Sequence, residues 1–211
     1  EYTLPVSRQI VDGFAHVHSL FWGDNQLGLS LGIHPEDDLL PSEDDIRGNF
    51  TYSSSQVDSF LTQFGECLSR RDQSIIRRVS QRYPDLLWSR ISEETNLTLT
   101  HGDPHTLNIL VPKDPTQHQV SIVDWATYMQ WIGVHDLANH FPVYWHRTVR
   151  NAMEKDLLRR YHTQLCNRGV VGYDWNQCWY DYRLGVTGQV NRRIKHAPFN
   201  SAVGLWICDN C

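Results

Sequence analysis

The sequence predicts an α+β fold that is mostly helical and contains one small β-hairpin. Apolar residues recur at helical spacing over most of the chain, and short apolar, β-branched runs cluster between residues 97 and 123. With 211 residues and 40% hydrophobic content, the chain is long enough for one sizeable core. We therefore expect a single domain over residues 1–211, with a C-terminal tail from about residue 190.

Two helices are expected in the first third of the chain. The first carries apolar residues at helical spacing from Val6 to Phe21, and Gly23 is suited to the left-handed conformation that ends a helix. A loop-rich, acidic segment follows over residues 27–52. The second helix has an apolar stripe over residues 57–68, and the serines at 53–55 are candidate caps.

A third helix is predicted before the hairpin, and its limits follow from one cap and one proline. Asp72 can cap its start, and Pro84 is expected to end it, because a proline lacks the backbone N–H that a helix needs. The residues predicted to face the core are Ile75, Val79 and Tyr83.

Three helical segments are expected after the hairpin. The first starts at about Asp136 and is broken near Pro142. A long helix then ends at Gly169, and Asp174 caps the last helix.

The strands form the part of the fold from which we predict the site. Residues 97–100 form one strand, and residues 109–111 and 120–123 pair as an antiparallel hairpin, separated by turn-forming prolines. The start of the first hairpin strand faces the end of the second, so Asn108 is expected beside Asp124. A tight turn through Gly102 directs Asp103 into the same cleft.

Asp103, Asn108 and Asp124 suit magnesium-assisted phosphoryl transfer. That reaction needs one carboxylate to orient the attacking hydroxyl and further oxygen ligands to hold the metal on the phosphates. The segment of residues 97–126 supplies all three groups. Taken singly, each residue has a simpler interpretation as a turn or cap residue; their combined spacing favours the catalytic one.

The pattern His101-x-Asp103-x-x-x-x-Asn108, followed by Asp124-Trp125, resembles the catalytic and metal-binding segments of the aminoglycoside phosphotransferase and choline kinase group. This group is related to the protein kinases, and the chain is most similar to its ecdysteroid-kinase-like branch. The resemblance covers residues 6 to about 186. Segments that also match are residues 14–22, 134–138, 161–162, 169–170 and 181–183.

The resemblance implies a protein-kinase-like C-terminal lobe that uses ATP and Mg²⁺ to phosphorylate a hydroxyl of a small molecule. Asp103 would be the catalytic base, and Asn108 and Asp124 the magnesium ligands. Asp136 would hold the catalytic loop through its backbone amides, and His101 would pack that loop.

The sequence also departs from the kinase pattern. None of its 13 glycines falls in a G-x-G-x-x-G motif, and no Val-Ala-Ile-Lys-like strand precedes a helix. We therefore expect the N-terminal ATP-binding lobe to be absent from this sequence. Either the sequence is part of a longer kinase, or the lobe is a non-catalytic pseudokinase that acts as a structural or interaction subunit of a protein assembly.

Net charge, hydrophobicity and cysteine content limit which binding partners and which cellular location we expect for this chain. The net charge of −5 argues against nucleic acid as a partner, and no apolar run approaches the length of a membrane span. An intracellular, cytoplasmic protein is expected, or an organellar one if a targeting segment was removed. We expect Cys67, Cys166 and Cys178 to be buried thiols, while Cys208 and Cys211 form only a weak C-x-x-C signal.

Two questions stay open at this level. His101-x-Asp103-x-His105 places three metal-binding residue types at alternating positions, as a zinc metallohydrolase would require, although Asn108 and Asp124 suit magnesium better. Substrate specificity is expected from the acidic segment before residue 52 and from three tryptophans. These are Trp145, Trp175 and Trp179.

Overall fold

The computed structural model describes residues 3–24, 27, 32, 39–52, 54–114 and 120–196. Within them the chain is a mostly helical α+β protein, as predicted, with two small antiparallel sheets where one hairpin was expected. The helices are α1 (Leu4–Leu20), α2 (Glu43–Phe50), α3 (Ser54–Phe64), α4 (Arg70–Ile91), α5 (Val134–Tyr144), α6 (Arg147–Asn167) and α7 (Trp175–His196). The strands are β1 (Thr98–Thr100), β2 (Ile109–Leu110), β3 (Ser121–Ile122) and β4 (Met129–Trp131).

The chain divides into two compact units. The first comprises Glu1–Leu40 and Glu94–Arg183, and the second comprises Pro41–Glu93 and Leu184–Cys211. Helix α7 contributes its first part to one unit and its second part to the other. The expected C-terminal tail continues in α7 as far as His196, and its remaining residues lie outside the described part.

The core of the first unit forms where α1 packs against α6. Their contact surfaces bury Phe14, Leu157 and Tyr161 almost completely, and such burial contributes about 1.5–3 kcal/mol for each large apolar side chain. At the edge of this contact the Arg160 guanidinium donates two hydrogen bonds, of 2.7 and 2.5 Å, to the carboxylate of Asp12. The first unit is therefore built on a helix pair that also supports β1.

The predicted hairpin is present, with shorter strands than expected. Strand β2 pairs antiparallel with β3, with Ile109 opposite Ile122. The backbone N–H of Val123 donates to the carbonyl of Asn108 at 3.0 Å, so Asn108 faces Val123 and Asp124 comes one residue later. Strand β1 pairs with β4, which the sequence did not predict.

The second unit forms around α4, which packs against α2 and α3. Helix α2 lies inside the segment expected to be a loop, so that expectation is wrong for residues 43–50. A capping box explains its formation: the Ser42 hydroxyl accepts the Asp45 backbone N–H, and the Asp45 carboxylate accepts the Ser42 backbone N–H. The main cluster of buried apolar residues is Val57, Phe60, Leu61, Leu68, Ile76 and Ile194.

Both prolines that were expected to interrupt helices lie inside them. Helix α4 starts after Ser69, whose hydroxyl accepts the Asp72 backbone N–H, and continues through Pro84 for seven more residues. Beyond the proline, Leu87 and Ile91 are fully buried, and their burial offsets the cost of the lost hydrogen bond. Pro142 likewise lies within α5.

Among the predictions for individual side chains, some are confirmed and others are wrong. Tyr83 faces the core as predicted, but Ile75 is 41% exposed, and its neighbour Ile76 is buried instead. Cys178 is buried as expected, while Cys166 is an exposed free thiol. Cys67 is exposed and disulfide-bonded, so its interpretation as a buried thiol is wrong.

Among the described residues, no helix combines the length and the apolar character that crossing a membrane requires.

Candidate active site

The loop that carries the predicted catalytic residues is held by one buried carboxylate. Asp136, in the first turn of α5, is 2% exposed. Its Oδ2 accepts the backbone N–H of His101 at 2.7 Å, and its Oδ1 accepts that of Gly102 at 3.0 Å. Hydrogen bonds to an ionised acceptor are about twice as strong as neutral ones, so this bidentate contact fixes the start of the loop.

Three helices converge behind Asp136. The Nε2 of His18, on α1, lies 3.2 Å from Asp136 Oδ2, and the Nδ1 of His18 lies 2.8 Å from the Tyr161 hydroxyl on α6. Burial raises the pKa of Tyr161 well above its usual value, so the hydroxyl keeps its proton. Because a carboxylate only accepts hydrogen bonds, a neutral His18 carries its N–H at Nε2, and Nδ1 accepts a hydrogen bond from the Tyr161 hydroxyl. His18 Nε2 is then the donor to the carboxylate, and α1 is joined through Asp136 to the loop.

The close packing of this network explains a glycine just before α5. A Cβ at Gly133 would come within 2.8 Å of the Tyr161 hydroxyl and 2.9 Å of Thr98 Cγ2. Only a residue without a side chain lets the start of α5 approach α1 and α6 this closely.

His101 joins the loop to the segment after β3. Its side chain is fully buried, with Nδ1 accepting the Asp103 backbone N–H at 3.3 Å and Nε2 donating to the Val123 carbonyl at 2.8 Å. Its ring packs edge-on against Trp125, with centroids 4.9 Å apart. Since both ring nitrogens are used, His101 has no lone pair left for a metal in this arrangement.

Asp103 combines a fixed backbone with an open side chain. Its N–H bonds to His101 as described, and its carbonyl accepts the Asn108 side-chain N–H at 3.1 Å. Its carboxylate is half exposed, 3.9 Å from the Nε2 of His105. The carboxylate is therefore open to solvent, while hydrogen bonds hold the backbone beneath it in place.

The remaining predicted ligands lie at the hairpin. Asn108 is 5% exposed, and the hydrogen bond from its Nδ2 to Asp103 leaves its Oδ1 available as a ligand. Asp124 follows β3 with φ of 62°, a left-handed conformation that aspartate tolerates better than most residues. Its carboxylate is exposed and has no hydrogen-bond partner among residues that the structure describes.

The donor set fits a hard cation. Two oxygen donors, Asn108 Oδ1 and the Asp124 carboxylate, come from adjacent ends of the hairpin, and magnesium prefers such ligands together with water and phosphate oxygens. Within the described ranges, no group of three His, Cys, Asp or Glu side chains lies close enough together to hold a metal. The roles of these residues stay predictions.

Helix α5 supports the loop with two residues that the sequence analysis did not assign. Asn139 donates from Nδ2 to the Gly102 carbonyl at 3.3 Å, and His140 Nδ1 lies 2.8 Å from the Pro104 carbonyl, to which it donates. Together with Asp136 they occupy positions i, i+3 and i+4, which lie on one face of a helix. Polar residues at that spacing on an otherwise apolar helix were the signal that could have identified them.

We expect Asp136→Asn to destabilise the chain by about 2–3 kcal/mol. The variant places an NH₂ group opposite one of the two backbone N–H donors. It also removes the negative charge that strengthens both hydrogen bonds. Urea unfolding measures the difference. Asp156→Asn, at an exposed position on α6, is the matched control and should change the unfolding free energy by less than about 0.5 kcal/mol. Equal effects of the two substitutions would contradict the role given to Asp136.

A second prediction concerns pH. Burial lowers the pKa of His140 from 6.5 to about 4, although its bond to the Pro104 carbonyl acts in the opposite direction. Between these values the unfolded chain binds a proton that the folded chain does not. The contribution of His140 to stability therefore falls as the pH falls from 6.5 towards 4, by up to about 1.4 kcal/mol per unit.

Urea unfolding of the wild type and of His140→Asn between pH 7.5 and 4.5 tests this dependence. Asn retains a donor near the Nδ1 position but does not titrate, so the variant should lose less stability over this range than the wild type. Parallel stability curves would show that His140 is not the group responsible.

The comparisons with known proteins bear on the same segment. The profile of the ecdysteroid kinase-like family matches residues 41–169, more than half of the chain and including Asp103, Asn108, Asp124 and Asp136. No curated protein and no solved structure matches the chain. The match confirms the resemblance drawn from the sequence motifs: the chain belongs to the ecdysteroid kinase-like family.

Proposed function

We propose that this chain forms the metal-binding and acceptor-activating lobe of an ATP-dependent phosphotransferase that acts on a hydroxyl of a small molecule. One observation carries the proposal: the backbone of Asp103 is bonded on both sides, to His101 and to Asn108, while its carboxylate is open. A group that must meet a substrate hydroxyl in a fixed orientation requires this combination.

In this proposal the residues divide the chemistry between them. Asp103 accepts a hydrogen bond from the substrate hydroxyl and takes its proton as the hydroxyl oxygen attacks the γ-phosphorus of ATP. The bond between the γ-phosphorus and the bridging oxygen breaks, and ADP leaves. Asn108 and Asp124 hold Mg²⁺, which when bound neutralises charge on the phosphates of ATP. Asp136 keeps the loop in register with the hairpin through the amides of His101 and Gly102.

The zinc metallohydrolase alternative has less support. It needs His101 as a ligand, but both nitrogens of this ring are engaged with backbone groups. His105 Nδ1 likewise accepts the Leu107 backbone N–H at 3.1 Å. Neither histidine is positioned to give a zinc ion the three protein ligands that a catalytic site needs.

The aromatic residues expected to determine specificity have other contacts. Trp145 is 2% exposed and stacks on Phe141 at 4.2 Å between centroids, so it belongs to the core. Trp175 lies under the Arg159 guanidinium, 4.5 Å from the ring centroid. A quaternary or hydrophobic substrate could bind the Trp175 ring only if the arginine moved aside. The proposed substrate is therefore described only by its acceptor hydroxyl.

The test separates nucleotide binding from chemistry. Saturating Mg²⁺–ATP, at about 100 times its Kd, should stabilise the chain by about 2.7 kcal/mol in thermal or urea unfolding. Asp124→Ala and Asn108→Ala should abolish that stabilisation, while Asp156→Ala should retain it. Asp103→Asn should keep the stabilisation but lower any phosphoryl transfer by about 10²- to 10⁴-fold, the usual contribution of a general base.

Two results would overturn the proposal. The first is stabilisation by ATP that is unchanged without Mg²⁺ or in Asp124→Ala. The second is an absence of nucleotide binding in the wild type that persists when the upstream coding sequence is restored, which would favour the alternative of a non-catalytic lobe with a structural or interaction role.

A further inference from the structure

Helix α4 carries a row of three unpaired arginines in the second unit. Arg71, Arg78 and Arg82 are exposed, and none of them forms an ion pair or hydrogen bond within the part of the chain that the structure describes. Two other arginines of this unit are paired: Arg47 lies 2.7 Å from Asp85, and Arg77 pairs with Asp58. The arginine row (Arg71, Arg78 and Arg82) therefore has cationic groups without internal counterions.

A row of apolar side chains runs beside it. Ile75 and Leu86 are 41% and 47% exposed, and Val79, between them, is half-buried. At 100° per residue, this apolar row (Ile75, Val79 and Leu86) lies about 60° around the helix from the arginine row. Exposed apolar side chains that are grouped together and rimmed by polar or charged residues are typical of interaction sites, so the two rows together indicate a contact surface.

The two rows line one groove of about 530 Å³. Its other lining residues include Ser74 and Tyr83 of α4 and Thr187 of α7, all of the same unit. From Arg71 to Leu86 the groove follows the helix for about 22 Å, at 1.5 Å per residue. It is therefore elongated, with charge along one edge and apolar surface along the other.

We propose that this groove docks an acidic amphipathic helix of a partner protein. An apolar stripe on such a helix would cover Ile75, Val79 and Leu86, while glutamates or aspartates along one edge would pair with the three arginines. The parallel arrangement of the two rows favours an elongated ligand with the same two-row pattern over a compact small molecule, whose charges would converge on one point.

Charge and shape decide against other polyanions. The chain has a net charge of −5, which argues against binding polyanions in general, and a nucleic acid backbone would leave the apolar row uncovered. A membrane surface is flat on this scale and does not fill a concave groove. A helix in a groove satisfies both rows, and this docking does not depend on the phosphotransferase proposal.

The test uses a fluorescein-labelled peptide of about four helical turns with leucines at i, i+4, i+7 and i+11 and glutamates along the adjacent edge. Its control has the same composition in scrambled order. Fluorescence anisotropy with the full chain should show binding of the patterned peptide only. The double variant Arg78→Glu and Arg82→Glu should weaken binding at least about tenfold, because it places like charges against the glutamates.

Two further variants test whether binding depends on the apolar row and on the position of the arginines, and not only on the total charge of the helix. Ile75→Gln should also weaken binding, although it changes no charge. Arg70→Glu changes an exposed arginine of the same helix that lies about 100° around from Arg71, and it should leave binding unchanged. Circular dichroism on each variant checks that α4 is still folded.

Three outcomes would overturn the proposal. Equal binding of the scrambled peptide would show attraction without pattern recognition. An equal loss in Arg70→Glu would show that only the total charge matters. Binding to phosphatidylserine vesicles that is tighter than to the peptide and is lost in Arg78→Glu/Arg82→Glu would assign the surface to a membrane instead.

Discussion

The carboxylate of Asp136 is the group on which the candidate site depends. It lies buried in the first turn of α5, where the helix dipole favours a negative charge, and it accepts hydrogen bonds from two consecutive backbone amides and from His18. A buried charge is stable only with such a complete set of donors. Replacing Asp136 with asparagine leaves one of these two amides without an acceptor, and replacing it with alanine leaves both without one.

Other side chains of helix α5 hold the rest of the loop through further hydrogen bonds. Successive contacts from Asp136, Asn139 and His140 reach the backbone at residues 101, 102 and 104, so one rigid helix face positions the whole turn. At Gly102 the turn adopts φ of 81°, and a Cβ there would collide with the Thr127 carbonyl. The half-exposed carboxylate of Asp103 is thus an open group on a fixed frame, which is the condition for catalysis by positioning.

Sequence patterns correctly predicted the secondary-structure elements that form through interactions between residues close in sequence. The long helices, the left-handed glycine that ends α6 at Gly169, and the antiparallel hairpin all follow from spacing and turn chemistry. The extent of α4 did not, because the residues after Pro84 are held by tertiary burial that no local pattern reveals. Helix α2 had a readable capping box, but only Ile46 of its eight residues is buried, so its apolar signal was too weak.

In the candidate site, too, some features could be predicted from sequence and others depend on tertiary contacts. Asp103, Asn108 and Asp124 were predicted from the spacing of oxygen ligands, and Asp136 was predicted from the family resemblance. The exact strand register was not, because a shift of one residue depends on which backbone groups pair. The contact from His140 to the loop is also tertiary: its spacing from Asp136 and Asn139 indicates a shared polar helix face, but it does not indicate that the His140 ring reaches the Pro104 carbonyl.

The most direct test of the central claim places a paramagnetic ion in the site. Mn²⁺ accepts the same oxygen ligands as Mg²⁺ and broadens nearby NMR signals. In the ¹⁵N-labelled full chain with ATP, Mn²⁺ should broaden the Trp125 indole and Val123 amide signals first, and Asp124→Ala should abolish the effect. Broadening that persists in Asp124→Ala, or that appears first at residues outside the loop and hairpin, would contradict the account.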